Sequence, residues 1–287
     1  MPDPTDMPPR ALDDIGPATR GRAVGVGLLL VVGVFLVQSI AAGIGVVFAL
    51  MVFDVPDSDK LVSTATDAGL ALVAWSELML AAVLVLLAVR IGRRTTGLVF
   101  GSEAWRSLRL ATPVLLVMVG LPLVGLILTG EPIVDAGLNA SRVVLIAVVV
   151  VGVGIAEEIA FRGVLIPVLG GSSRPAFAAI ASALLFGVVH LAVPDASAAY
   201  YVNALAVMLA VGIPFAVIRL RTGNIIGLVI VHALIDLFAL LYIGSLELPS
   251  ATLGQALVEL GMSVVLAAAY WVWFKSGLVT TTVDAQG

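Results

Sequence analysis

Eight apolar stretches, most of them long enough to cross a bilayer, constrain this chain more than any other feature. They lie at about Ala23–Phe53, Gly69–Val89, Leu110–Leu128, Val143–Leu169, Pro175–Leu191, Ala199–Ile218, Ile225–Leu246 and Leu257–Phe274. A transmembrane helix needs about 20 predominantly apolar residues, and 287 residues have room for eight such helices with short connections. Hydrophobic side chains make up 61% of the sequence and charged ones 12%, against about 45–50% and about 25% in a soluble domain. Too little charge remains to cover a water-facing surface, which excludes a soluble enzyme and a disordered protein. A nucleic-acid binder is excluded as well, because the net charge is −4 and no Lys/Arg cluster is long enough to track phosphates. The lack of cysteine removes disulfides, thiolate nucleophiles and Cys-type zinc sites. The expected fold is an all-α polytopic transmembrane helical bundle of about eight spans, in contact with membrane lipid.

Residues 1–22 are rich in Pro and Asp without apolar periodicity, and they read as a disordered tail. Residues 23–275 read as a single transmembrane domain, and 276–287 as a C-terminal tail. Basic residues test the topology independently, because cytoplasmic loops collect Lys and Arg. If eight spans alternate, one side receives Arg10, Arg20, Arg22, Arg90, Arg93, Arg94, Arg106, Arg109, Arg174, Arg219, Arg221 and Lys275. The other side receives only Lys60 and Arg142. Both termini are therefore expected in the cytoplasm, with the protein in the cell membrane. The loop from Arg90 to Arg109, which carries Trp105, reads either as a short amphipathic helix on the cytoplasmic face or as a solvated basic loop.

Ionisable groups inside a bilayer are costly and mark functional sites by default. Span four holds Glu157, Glu158 and Arg162 in the run AEEIAFRG, and the two histidines, His190 and His232, lie in spans five and seven. Glu158 and Arg162 are four residues apart in the favourable orientation, so they are expected to pair along one helix face. Glu157 is turned about 100° away and has no local cation, which suits it to general acid–base work. Neutral imidazole orients water, donates to an oxyanion or binds a metal. Asp236 follows His232 by four residues, and it is expected to accept from the ring and fix its tautomer. Phe186, four residues before His190, is expected as an apolar wall. A carboxylate and two histidines in a dry helix-lined cavity are equipped to activate water against a carbonyl, the chemistry of peptide hydrolysis. The HExxH motif is absent, so a metal site would be assembled across helices from Glu157, His190, His232 and Asp236. Gln38, Glu77, Asn203 and Glu259 read as interhelical hydrogen-bonding or interface groups.

Three short runs in this order resemble a known family. EEIAFRG is similar to an EExxxR motif, FGVVH to an FxxxH motif, and HALID to a third motif of the form HxxxN/D. Together, with RTGNIIGLVIVHALID leading into the third, they resemble the CPBP intramembrane proteases. These are the type II CaaX prenyl endopeptidases and their bacterial relatives linked to bacteriocin processing, the Abi proteins. The resemblance covers about residues 142–246. It implies that Glu157 activates the attacking water with His190, and that His232 with its partner Asp236 binds or polarises the substrate carbonyl. Glu158 and Arg162 support them. The implied substrate is a membrane-associated peptide or protein. The third motif often ends in Asn, whereas Asp236 is an acceptor when ionised and favours metal ligation or histidine orientation. A divalent metal such as zinc and a metal-free glutamate mechanism therefore both stay open.

Two other classes fit parts of the pattern. Intramembrane Glu, His and Asp also form proton relays in transporters, and a non-catalytic scaffold or immunity protein would keep the fold without turnover. One geometric demand is severe. At about 1.5 Å per residue, Glu157 lies about 18 Å from one end of its span, His190 about 24 Å and His232 about 12–15 Å. Tilt, or a break near Pro167, must bring them level.

Overall fold

The computed structural model describes residues 20–52, 67–130, 138–171, 173–190, 197–243 and 253–283. Helices appear wherever the apolar runs predict them, and no strand occurs among the described residues. They are α1 (Arg20–Val52), α2 (Asp67–Ile91), α3 (Ser102–Leu128), α4 (Ala140–Val168), α5 (Pro175–His190), α6 (Ala198–Thr222), α7 (Ile226–Ile243) and α8 (Leu253–Val283). Three of the rods contain a π-helical stretch, at Leu116–Gly120 in α3, Glu158–Leu165 in α4 and Met208–Gly212 in α6. The chain is an all-α membrane bundle. Five of the described helices have the length and apolarity to cross a bilayer. Helix α1 contributes a shorter apolar stretch, Val32–Val47, and α5 and α7 are themselves short. At 16 and 18 residues, α5 and α7 extend only about 24 and 27 Å. They are also the helices that carry the histidines.

Caps and close contacts explain the rod ends. The Asn139 side chain accepts from Arg142 N at 2.8 Å to start α4, and Ser197 accepts from Tyr200 N at 3.1 Å to start α6. Gly223, with φ 67°, ends α6 in the left-handed conformation. Asn224 then accepts from Ile226 N at 2.8 Å and donates Nδ2 to Val99 O at 2.6 Å, which ties the start of α7 to the segment before α3. Helix α7 lies almost against the α3 backbone. A Cβ at Gly227 would sit 2.1 Å from Leu108 N.

Packing places α4 against α2 and α7, and α6 against α3, α5 and α8. The main core gathers Phe161 and Leu165 of α4, Phe186 of α5, Phe215 and Ile218 of α6, and Leu228 and Val231 of α7. A second cluster, with Leu70, Ala74, Ile146, Val149, Val150 and Leu240, joins α2, α4 and α7. Between α2 and α3 the chain makes a short helix, Arg93–Thr96. The segment read as an amphipathic helix or a loop is helical from Ser102 and continuous with the third apolar rod. Ala104, Ser107 and Ala111 are buried, while Trp105, Arg106 and Arg109 are exposed. Arg219, taken from sequence for a loop cation, is instead buried in the last turns of α6. The loops bearing Lys60 and Asp195, and residues 1–19, lie outside the described residues.

Candidate active site

The seven side chains singled out by sequence meet between α4, α5 and α7. Deepest is the Glu158–Arg162 pair, with Arg162 Nη1 donating to Glu158 Oε1 at 2.8 Å and both side chains at 0% exposure. The Arg162 guanidinium lies 4.3 Å from the centroid of Phe186 and 5.6 Å from that of Phe215. Aromatic faces thus take up part of a cation that is removed from water.

The same Glu158 oxygen receives a second bond. His232 Nδ1 lies 2.8 Å from Oε1, and an ionised carboxylate only accepts, so the ring donates there. That differs from the expectation for Asp236, whose Oδ2 is 3.6 Å from His232 Nε2, too far for a hydrogen bond. Helical spacing brings Asp236 to the ring, but Glu158 on another helix holds the tautomer. His190 is oriented by backbone. Its Nδ1 donates to Phe186 O at 2.7 Å, and its ring stacks at 4.5 Å on Phe186. Phe186 is the apolar wall that the FxxxH spacing predicts, touching His232 as well, with ring centroids 6.1 Å apart.

With both Nδ1 atoms engaged, each imidazole presents Nε2 to one point. Glu157 Oε2 is 3.8 Å from His190 Nε2 and 3.7 Å from His232 Nε2. That oxygen is buried and has no hydrogen-bond partner within the protein. The separations exceed a direct hydrogen bond. Glu157 and Asp236 side chains are 26% exposed and His190 37%, whereas His232 is 7% exposed. The cluster therefore grades from a sealed ionic base to a partly exposed rim. The demand for level side chains is met without a break at Pro167. Helix α4 loosens into its π-helical stretch at Glu158 and carries on through Pro167.

Among the described residues no group of three or more His, Asp or Glu side chains is arranged to hold a metal ion.

Three contributors escaped the sequence reading. Phe161 and Phe215 complete the apolar cage, 5.3 Å from Phe186 and 6.2 Å from His232 respectively, and nothing local distinguishes them from ordinary core phenylalanines. Arg219 donates Nε to Arg162 O at 3.2 Å. Away from the cluster, Gln38 Nε2 donates to Glu77 Oε1 between α1 and α2, as expected of an interhelical pair.

Fold and cluster together define a helical integral membrane protein with a carboxylate–imidazole centre enclosed by its helices. Residues 139–238 match the family model described as Type II CAAX prenyl endopeptidase Rce1-like, and over this segment the chain is similar to that family. The match spans about a third of the chain and includes all seven clustered residues. At family level the match supports a CAAX-protease-like intramembrane endopeptidase. No curated protein and no solved structure matches the chain.

Proposed function

We propose that the protein hydrolyses a peptide bond of a membrane-associated peptide or protein by water activated between Glu157 and the two histidines. The observation that carries this reading is the position of Glu157 Oε2, buried, unpartnered and within 3.8 Å of both Nε2 atoms. A water held there gives its proton to Glu157 while His190 Nε2 orients it. The hydroxide adds to the scissile carbonyl carbon. His232, fixed through Nδ1 by Glu158, turns Nε2 toward the developing oxyanion and donates to it when doubly protonated. Collapse of the intermediate breaks the C–N bond, and the proton on Glu157 passes to the leaving nitrogen. Water has been added across the bond and the side chains are restored.

The test is cleavage of a membrane-anchored CAAX-type peptide by purified protein in liposomes. Wild type is expected to release product, and Glu157→Ala to release none while keeping its helical content. Equal cleavage by the two proteins refutes the reading. Elemental analysis of the same preparation, with the assay repeated under chelator, decides whether an ion takes part.

A further inference from the structure

We propose that Arg219 and Ser182 are positioning residues that hold the π-helical turn of α4 and, through it, the register between Glu157 and the two imidazoles. The inference rests on the reading of that cluster as the hydrolytic centre.

The stretch Glu158–Leu165 is π-helical, a geometry in which a carbonyl is bonded by the N–H five residues further on. By this pattern the carbonyl of Arg162 would be served by residue 167, which is Pro167 and has no N–H. A buried carbonyl left without a donor is strongly disfavoured. Arg219 supplies the donor from α6, with Nε 3.2 Å from Arg162 O, and its Nη2 reaches Thr95 O at 2.5 Å. The preceding carbonyl is held from α5, where the buried Ser182 Oγ donates to Phe161 O at 2.8 Å. Two successive peptide groups of the turn are thus pinned by two different helices.

Both pins lead to the reacting groups. Arg219 fixes the peptide of Arg162, whose side chain holds Glu158 Oε1, which in turn holds His232 Nδ1. Ser182 ties the same turn to the helix that carries His190 two turns further on. The wider turn begins at Glu158, directly after Glu157, so the pins decide where the Glu157 carboxylate stands relative to the rings. A sequence signature accompanies this, a proline five residues after Arg162 and an arginine that reaches the intervening carbonyl.

Arg219→Gln is expected to lower kcat about ten- to hundredfold, the scale of a misplacement near 1 Å, with KM nearly unchanged because no substrate contact is lost. Pro167→Ala restores an N–H at position 167, so adding it to Arg219→Gln is expected to return most of the lost rate. A purely structural arginine predicts no such rescue. Ser182→Ala removes a single hydroxyl, and it is expected to lower kcat severalfold at constant KM even if Arg219→Gln does not fold. The chain has two histidines, so 15N labelling resolves both rings. His232 is expected to lose its strongly hydrogen-bonded Nδ1–H signature in Arg219→Gln, while His190 keeps its own. A folded Arg219→Gln protein with wild-type kcat and an unmoved His232 signal would overturn the proposal, as would a loss that Pro167→Ala leaves untouched or a Ser182→Ala protein with full activity. If wild type cleaves no peptide, the hydrolytic reading fails, and the histidine resonances still decide the positioning.

Discussion

Glu158 receives both strong contacts at the base of the site, from Arg162 and His232, each at 2.8 Å, while its neighbour Glu157 faces the rim with an unpartnered oxygen. Of the two adjacent carboxylates one is an anchor, and the proposed reaction assigns the chemistry to the other. Breaking a fully buried pair by removing one partner leaves a bare charge, at a cost of about 3–5 kcal/mol. Arg162→Met is accordingly expected to lower the thermal unfolding temperature in detergent sharply. Adding Glu158→Gln is expected to recover most of that loss, and equal losses in the two proteins would contradict the pairing. Sequence spacing revealed the Glu158–Arg162 pair because four residues along a helix is a local relation. The Glu158–His232 bond spans 74 residues, and no local pattern tells which of two neighbouring glutamates will meet a histidine on another helix. Asp236 shows the converse error, a correct face but a distance of 3.6 Å to His232.

Among the elements, α4 and α7 do most to shape the site, and their contacts separate tight from forgiving positions. A Cβ at Gly227 would lie 2.1 Å from Leu108 N, a backbone atom of α3. At Gly187 the obstruction is the Met208 side chain, with Cε at 1.5 Å, Sδ at 2.2 Å and Cγ at 2.8 Å, a flexible chain rather than backbone. Gly227→Ala is therefore expected to push α7 off α3, costing about 1–3 kcal/mol and reducing cleavage, because His232 travels with α7. Gly187→Ala is expected to stay close to wild type in unfolding temperature as Met208 swings aside. The reverse order would show that helix separation is set elsewhere. Helix positions were readable from apolar runs, since burial in lipid or core selects the same side chains along the whole rod. The π-helical turn of α4 was not, because its carbonyls are satisfied from Ser182 and Arg219, donors that only tertiary packing brings near. From the apolar runs alone, helix tilt or a break near Pro167 is the expected way to level the side chains.

For the molecule as a whole, the charge asymmetry of the loops leads us to expect the Arg90–Arg109 segment on the cytoplasmic side. The chain contains no cysteine, so introduced thiols report sidedness cleanly. Arg94→Cys and Ser141→Cys lie at exposed positions near opposite ends of the bundle. A membrane-impermeant maleimide is expected to label the first from the cytoplasmic side only and the second from the opposite side only. Labelling of both from one side would reverse or break the topology. The bundle gathers Glu157, His190 and His232 from three helices, and the proposed reaction needs them to share one water. Groups that act as one unit lose rate together rather than in proportion. The most direct measurement is a double-mutant cycle of Glu157→Gln and His190→Ala on peptide cleavage in liposomes. Each single change is expected to reduce kcat by about 10²- to 10⁴-fold, with the double variant no slower than the worse single one. Rates that fall independently and multiply, or a Glu157→Gln enzyme that keeps cleaving, would contradict a shared water.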